Sequence, residues 1–279
     1  GVRLVGSEMC IRDRLNTIGG IIGIHIPHPE LSLPIGLSFY TFRNLSYLFD
    51  IYLSKVSAQR NFLTFAVYST MFPYTSAGPI VRYTDIETQL KQRTINISKF
   101  GIGAELFVKG LAKKVLLADN LSVLYSSICG HPQMSVFTSW LGILAYTMQL
   151  YFDFSGYSDM AIGLGKMLGF DFNKNFDYPY ISTSVSEFWR RWHISLGSWF
   201  RDYIYIPLGG NRVSTLKHIR NILVVWALTG LWHGASWNFV LWGVYYGLFL
   251  LLEKFVLQKY LKKIPSWLCT VYTLSLIHI

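Results

Sequence analysis

The order of apolar and polar residues predicts a chain of helices, several of them long enough to cross a bilayer. Leu33–Tyr52 reads as a first span, with Pro34 near its start, where proline is tolerated. Arg43 and Asp50 lie seven apart on it, near one helical face, and either pair inside a bundle or snorkel toward an interface. Asn61–Met71 continues apolar and then breaks at 73–83, PYTSAGPIVRY, where Pro73, Gly78 and Pro79 argue against a straight helix. That segment is either a re-entrant stretch buried in protein or a loop leaving the membrane. Thr84–Lys99 is polar and reads as a connecting loop, Phe100–Leu124 as a helix, and Val136–Phe152 as a further span. In Ser184–Tyr205 the residues Phe188, Trp192, Leu196, Trp199 and Phe200 recur at three- and four-residue steps. This predicts an interfacial helix pair rather than a span. LGGNR at 208–212 marks a turn. Ile219–Trp232 and Ser236–Val256 are two more apolar stretches, broken around His233-Gly234, and Trp267 begins another.

Composition sharpens this into a membrane protein. Of 279 residues, 52% are hydrophobic and only 14% charged, where a soluble domain is nearer a quarter charged. The runs Asn120–Phe152 and Asn221–Leu252 hold no Asp, Glu, Lys or Arg, and each exceeds the roughly 20 residues needed to span hydrocarbon. The fold class expected is therefore all-α and polytopic, with re-entrant and interfacial helices. The net charge of +10 fits cationic loops between spans and not a nucleic-acid-binding module, because the charges are interspersed among apolar segments. Cys10, Cys129 and Cys269 have no metal-ligand spacing and read as free thiols.

Two tryptophan–histidine pairs carry the candidate chemistry, Trp192-His193 and Trp232-His233. His233 interrupts an uncharged apolar run, and an ionisable group at membrane depth is a functional-site hypothesis by default. A largely apolar surround would keep its imidazole neutral and able to take a proton from a hydroxyl attacking an acyl carbonyl. Gly230, Gly234 and Ala235 leave room for a substrate. The competing reading is a histidine that only bonds a neighbouring carbonyl. His193 either lines the same cavity, orienting the acceptor or stabilising an oxyanion, or is one polar residue of an interfacial helix. Trp232, Asp153, Arg190, Asp202 and Glu187 are candidate substrate-binding residues, with salt bridges the alternative for the charged ones. Lys109, Lys113 and Lys114 face either lipid headgroups or a phosphate-bearing acyl donor. Asp153 and Asp159 form at best a weak carboxylate pair. The alternative is structural: Asp153 or Ser155 can cap a following helix, and Gly156, Gly163, Gly165 and Gly169 permit close helix approach. The chain has no GxSxG elbow, Walker loop, HExxH or CxxC pair, so a serine esterase, an ATPase and a zinc site are not indicated.

Several long runs in one order are more specific than any single motif. They are LPIGLSFYTFRNLSYLFDIY, SAGPIVRYTDI, GLAKKVLLADNL, YFDFSGYSDMAIGLGKMLGF, FDYPYISTSVSEFWRRWHISLGSWFRDYIYIPLGGNR and GLWHGASWNFVLWG. Through them the chain, from Leu33 to Val256, resembles the membrane-bound O-acyltransferase superfamily. It looks most like the bacterial alginate O-acetyltransferase membrane-subunit branch. The resemblance implies a many-helix fold with a funnel or tunnel through the membrane. It implies that His233, in the LWHG run, is catalytic and that His193, in the RRWHISL run, is required. It implies no tightly bound cofactor. An acyl thioester, acetyl-CoA or an acyl carrier, would be the cytoplasmic substrate, and a polysaccharide the acceptor outside. A secreted-side or membrane-anchored acyltransferase would be the partner. A related branch moves D-alanine toward teichoic acid, and the IPLGGNR and LWHGASW forms favour acetyl. The alternatives to an enzyme are a transporter or flippase with His233 in a proton relay, and a scaffold that recruits a partner enzyme.

Residues 4–14, LVGSEMCIRDR, and 274–279, LSLIHI, resemble the two translated strands of a transposase sequencing adapter. On that reading 1–14 and 274–279 are adapter translation, 15–273 is the core fragment, and spans are missing at both ends.

Overall fold

The computed structural model describes residues 36–131, 133–234 and 236–278. The chain divides into two units, Gly1–Leu37 and Ser38–Ile279. The architecture below is that of the second. Pro34 and the adapter-like residues 4–14 lie outside the described residues, as does Ala235.

Among the described residues every regular element is helical. α1, Leu37–Tyr52, buries Phe42, Arg43, Ser46, Tyr47 and Asp50, one stripe of a 3.6-residue period. Of the two readings of Arg43 and Asp50, the mutual pair does not form, and both side chains are buried. Asp50 instead accepts the Tyr203 hydroxyl at 2.7 Å and lies 3.3 Å from Lys55 Nζ. The Arg43 guanidinium sits 4.4 Å over the Tyr74 ring.

α2, Phe62–Thr70, is capped by Asn61, whose side chain accepts the Thr64 N–H. The chain then turns through a short 3₁₀ element, Phe72–Tyr74. Gly78, Pro79, Ile80 and Val81 follow without regular structure, yet are buried. Protein therefore covers this irregular backbone. It is strapped down where the Ile80 N–H donates to Ser195 Oγ at 3.0 Å and Arg82 meets Asp202 at 2.6 Å.

The polar stretch expected as a loop from Thr84 contains a helix, α3, Tyr83–Lys91. Asp85 accepts the Arg82 N–H at its start, and Tyr83 and Ile86 anchor it in the core. The polar residues are its outer face, which a composition reading mistakes for a loop.

α4, Ile97–Ala112, runs through a π-helical segment, Lys113–Ala118, into α5, Asp119–Cys129. α6, Val136–Met167, is one unbroken helix of 32 residues. A cap at Asp153 or Ser155 is thus absent, because both lie in mid-helix. Gly169 at φ +88° ends the run just beyond it. α4 and α6 are antiparallel and touch backbone to backbone. A Cβ on Gly163 would lie 2.6 Å from the Gly103 carbonyl oxygen, and one on Gly156 would lie 2.7 Å from that of Gly110. Gly165 instead faces the Phe172 ring.

The interfacial stretch is two short helices, α7, Val185–Arg191, and α8, Ile194–Phe200, continued by a π turn, Arg201–Tyr205. α9, Thr215–His233, and α10, Trp237–Leu252, form an antiparallel hairpin that breaks at Gly234. The uncharged run Asn221–Leu252 is therefore folded back on itself rather than crossing once. Added Cβ atoms on Gly230 and Gly243 would meet the Phe239 and Trp226 carbonyl oxygens at 2.3 and 2.2 Å. A π turn, Glu253–Leu257, and α11, Gln258–Leu261, extend α10, and α12 is Ser266–His278. Among the described residues one helix, Trp237–Leu261, is long and apolar enough to cross a membrane.

Replacing Gly163 by alanine forces α4 and α6 apart and should cost about 1–3 kcal/mol, read as a lower thermal midpoint in nanodiscs. Gly101→Ala, with open space around the added methyl, should leave that midpoint unchanged or raise it slightly.

Candidate functional site

A cavity of about 880 Å³ runs along one face of α9, between it and α6, α7, α8 and α10. Ile222, Val225, Trp226, Thr229, Trp232 and His233 line it from α9. The eleven helical steps from Ile222 to His233 rise roughly 16 Å.

The two histidines arrive from different elements. His233 is the last residue of α9, at the Gly234 break that ends the helix. Its exposed ring contacts Trp232 and Trp242 at centroid distances of 4.5 and 4.9 Å. His193 joins α7 to α8 and adopts a left-handed backbone, φ 46° and ψ 52°. Such a conformation costs a non-glycine residue of order 1–3 kcal/mol and persists only when its surroundings impose it. Here the surroundings are main-chain bonds. Ile194 N–H donates to the Asn175 carbonyl at 2.9 Å, and Asp177 N–H to the Arg191 carbonyl at 2.9 Å.

His193 is 5% exposed, with its ring among Phe39, Phe154 and Trp232. Trp232 is in ring contact with both imidazoles. Three buried polar atoms of cavity-lining side chains have no hydrogen-bond partner: His193 Nε2, Trp232 Nε1 and Trp189 Nε1. Buried polar atoms are ordinarily paired, so two N–H donors and a ring nitrogen left open around one cavity suit a polar ligand.

Of the other residues singled out from the sequence, Arg190 lines this cavity. Glu187, Asp202 and Asp153 do not. Glu187 accepts the Thr183 N–H and hydroxyl and pairs with Arg191. Burial alone would push its carboxyl up, but those partners hold it below the usual carboxylate range. Asp202 is likewise held low against its burial by Arg201 and Arg82. Asp153 pairs with Lys114 at 2.8 Å and Asp159 with Lys113 at 2.6 Å. The two aspartates therefore sit apart in separate ion pairs, and the lysine cluster is matched by carboxylates, with Lys109 paired to Glu105.

Sequence reasoning missed Asn175, which is fully buried and bonded to His193 and Ser195. It also missed Glu253, a buried carboxylate that accepts the Val185 and Ser186 N–H groups at 2.7 and 2.9 Å. Glu253 thereby fixes the start of α7, the element leading into His193. A lone Asn in a polar run and a lone Glu after an apolar helix give no local signal of either role.

The membrane-bound O-acyltransferase family model matches residues 33–266. The chain belongs to the membrane-bound O-acyltransferase family. It is 48% identical, over 87% of its length, to a protein of Azotobacter vinelandii described as probable alginate O-acetylase AlgI, covering 49% of that protein. It is 34% identical to the peptidoglycan O-acetyltransferase of Helicobacter pylori, over 90% of this chain and 54% of that one. It is 29% identical to the teichoic acid D-alanyltransferase of Bacillus subtilis, over 88% of this chain and 64% of that one. The chain thus spans about half the length of the acetyltransferase relatives it matches. Family membership and these bacterial relatives make the chain a bacterial membrane protein.

Glu253→Gln leaves an α7 N–H without its acceptor and should cost about 1–3 kcal/mol. Asp153→Asn, which removes a half-exposed pair, should cost under about 1 kcal/mol. Thermal unfolding of the two variants in nanodiscs compares them directly.

Proposed function

We propose that the chain forms the reaction chamber of a multi-pass membrane O-acyltransferase, which passes an acyl group, most simply acetyl, from a cytoplasmic thioester toward hydroxyls of an exported cell-surface polysaccharide. The observation that carries this is the cavity along α9. It is lined mostly by apolar and aromatic side chains, and two imidazoles and two open indole N–H groups face it. Family membership and the acetyltransferase relatives support the reaction class.

In this reading His233 is the general base. The acceptor oxygen attacks the thioester carbonyl, the C–O bond forms and the C–S bond breaks. The hydroxyl proton passes to the imidazole and on to the departing sulfur, so ester and thiol result without oxidation or reduction. Trp232 Nε1–H is the donor placed to meet negative charge developing on the carbonyl oxygen. Arg190 lies in the wall for an anionic part of a substrate. The donor is acetyl-CoA or an acylated carrier, no tightly bound cofactor takes part, and a membrane-anchored or secreted-side acyltransferase receives the acyl group. D-alanyl transfer is the second reading, since the D-alanyltransferase relatives are less similar than the acetyltransferases.

His233→Ala in a cell that makes acetylated polymer should reduce acetyl ester by about 10²-fold or more, with the protein still in the membrane. Unchanged ester would leave only a scaffold. Labelled acyl group crossing vesicles with no ester formed would mean a transporter.

A further inference from the structure

The hydrogen bonds around Asn175 determine which nitrogen of His193 carries the proton. Asn175 Oδ1 receives the Ser195 backbone N–H at 3.1 Å. A backbone N–H only donates, so the atom it meets is the amide oxygen and not the amide nitrogen. The Ser195 hydroxyl also donates there, at 2.9 Å, while its oxygen accepts the Ile80 N–H. His193 Nδ1 lies 3.2 Å from that same oxygen. A carbonyl oxygen offers no proton, so Nδ1 must carry one. Neutral imidazole holds a single proton, which leaves Nε2 with a lone pair. Nε2 is the ring nitrogen that has no partner.

The geometry points to Asn175 as a positioning residue that holds His193 in the Nδ1–H tautomer, with Nε2 left open to the cavity as a hydrogen-bond acceptor for a donor group of the substrate. This separates two roles that the sequence left open. An Nδ1–H imidazole presents no N–H from Nε2, so His193 does not stabilise the oxyanion. It takes a hydrogen bond from a substrate N–H or O–H other than the attacking hydroxyl, whose proton goes to His233, leaving the oxyanion to donors such as Trp232 Nε1. The same asparagine also accepts from Ile194 and Ser195, and so braces the left-handed backbone that places the ring. Phe39 of α1, Phe154 of α6 and Trp232 of α9 surround the imidazole, and His233 lines the same cavity. The tautomer follows from the hydrogen bonds alone. Which substrate group donates to Nε2 rests on the acyl-transfer reading.

Nitrogen-15 NMR of the intact protein, histidine-labelled and reconstituted in nanodiscs, tests the tautomer without any turnover. His193 is identified by the signals lost in His193→Gln. The expected spectrum shows a protonated Nδ1 and an unprotonated Nε2. A protonated Nε2 in the wild type would overturn the inference, whatever His233→Ala does to acyl transfer. Conversely, acyl transfer that survives His233→Ala would sink the functional reading and leave the tautomer standing. Asn175→Leu should mix the tautomers and lower kcat about 10–100-fold, with KM for the thioester changed under roughly threefold. Asn175→Asp keeps the acceptor, and should restore the tautomer and at least about a tenth of kcat. An Asn175→Leu protein with wild-type kcat would also overturn it. Should that variant fail to fold, the wild-type and Asn175→Asp spectra still decide.

Discussion

Asn175 accepts three hydrogen bonds on one amide oxygen and a fourth on its main-chain carbonyl, and the candidate site hangs on them. They join the segment after α6 to the turn between α7 and α8. Without them His193 would have little reason to adopt a left-handed backbone, and the break between the two helices that the sequence spacing predicts would lose its support. The break turns one imidazole inward and leaves Trp199 and Phe200 to pack on α1 and on Ile80. A buried polar cluster of this kind is worth its desolvation only when its members are satisfied. Here the main exceptions are Nε2 and the Asn175 amide nitrogen.

The second histidine is placed by packing rather than by hydrogen bonds. Gly230 and Gly243 let α9 and α10 touch at backbone distance. This close approach sets Trp232 against Phe39 and Phe42 and brings His233 beside Trp242. Glu253, just past α10, then ties the hairpin to the start of α7. The two imidazoles thus reach one cavity through independent mechanical routes, a polar clamp and a glycine hairpin, which meet at Trp232.

Much of this was legible in the chain. Apolar periodicity located α1, α6, α9 and α10, and the two Trp-His pairs located the cavity. The resemblance to the family rested on long ordered runs that no local rule would have joined. What escaped was non-local. Asp202 reads as a substrate ligand until Arg82, 120 positions earlier, is seen to hold it. Asn175 carries no local signal until the chain returns eighteen positions later. α3 reads as a loop because its apolar stripe is two residues wide. Arg43 and Asp50 share a helical face as expected, but each found a tyrosine instead of the other. Periodicity fixes which face is buried and is silent about the partner waiting there.

The central claim is that both imidazoles face one reacting carbonyl. A structure of the intact protein in nanodiscs with a non-hydrolysable thioether analogue of the acyl donor tests it most directly. The account predicts the analogue lying along α9, with its carbonyl carbon between His193 and His233 and its oxygen toward the Trp232 indole. An analogue bound elsewhere, with Trp232-His233 packed against lipid and no passage reaching it, would contradict the account.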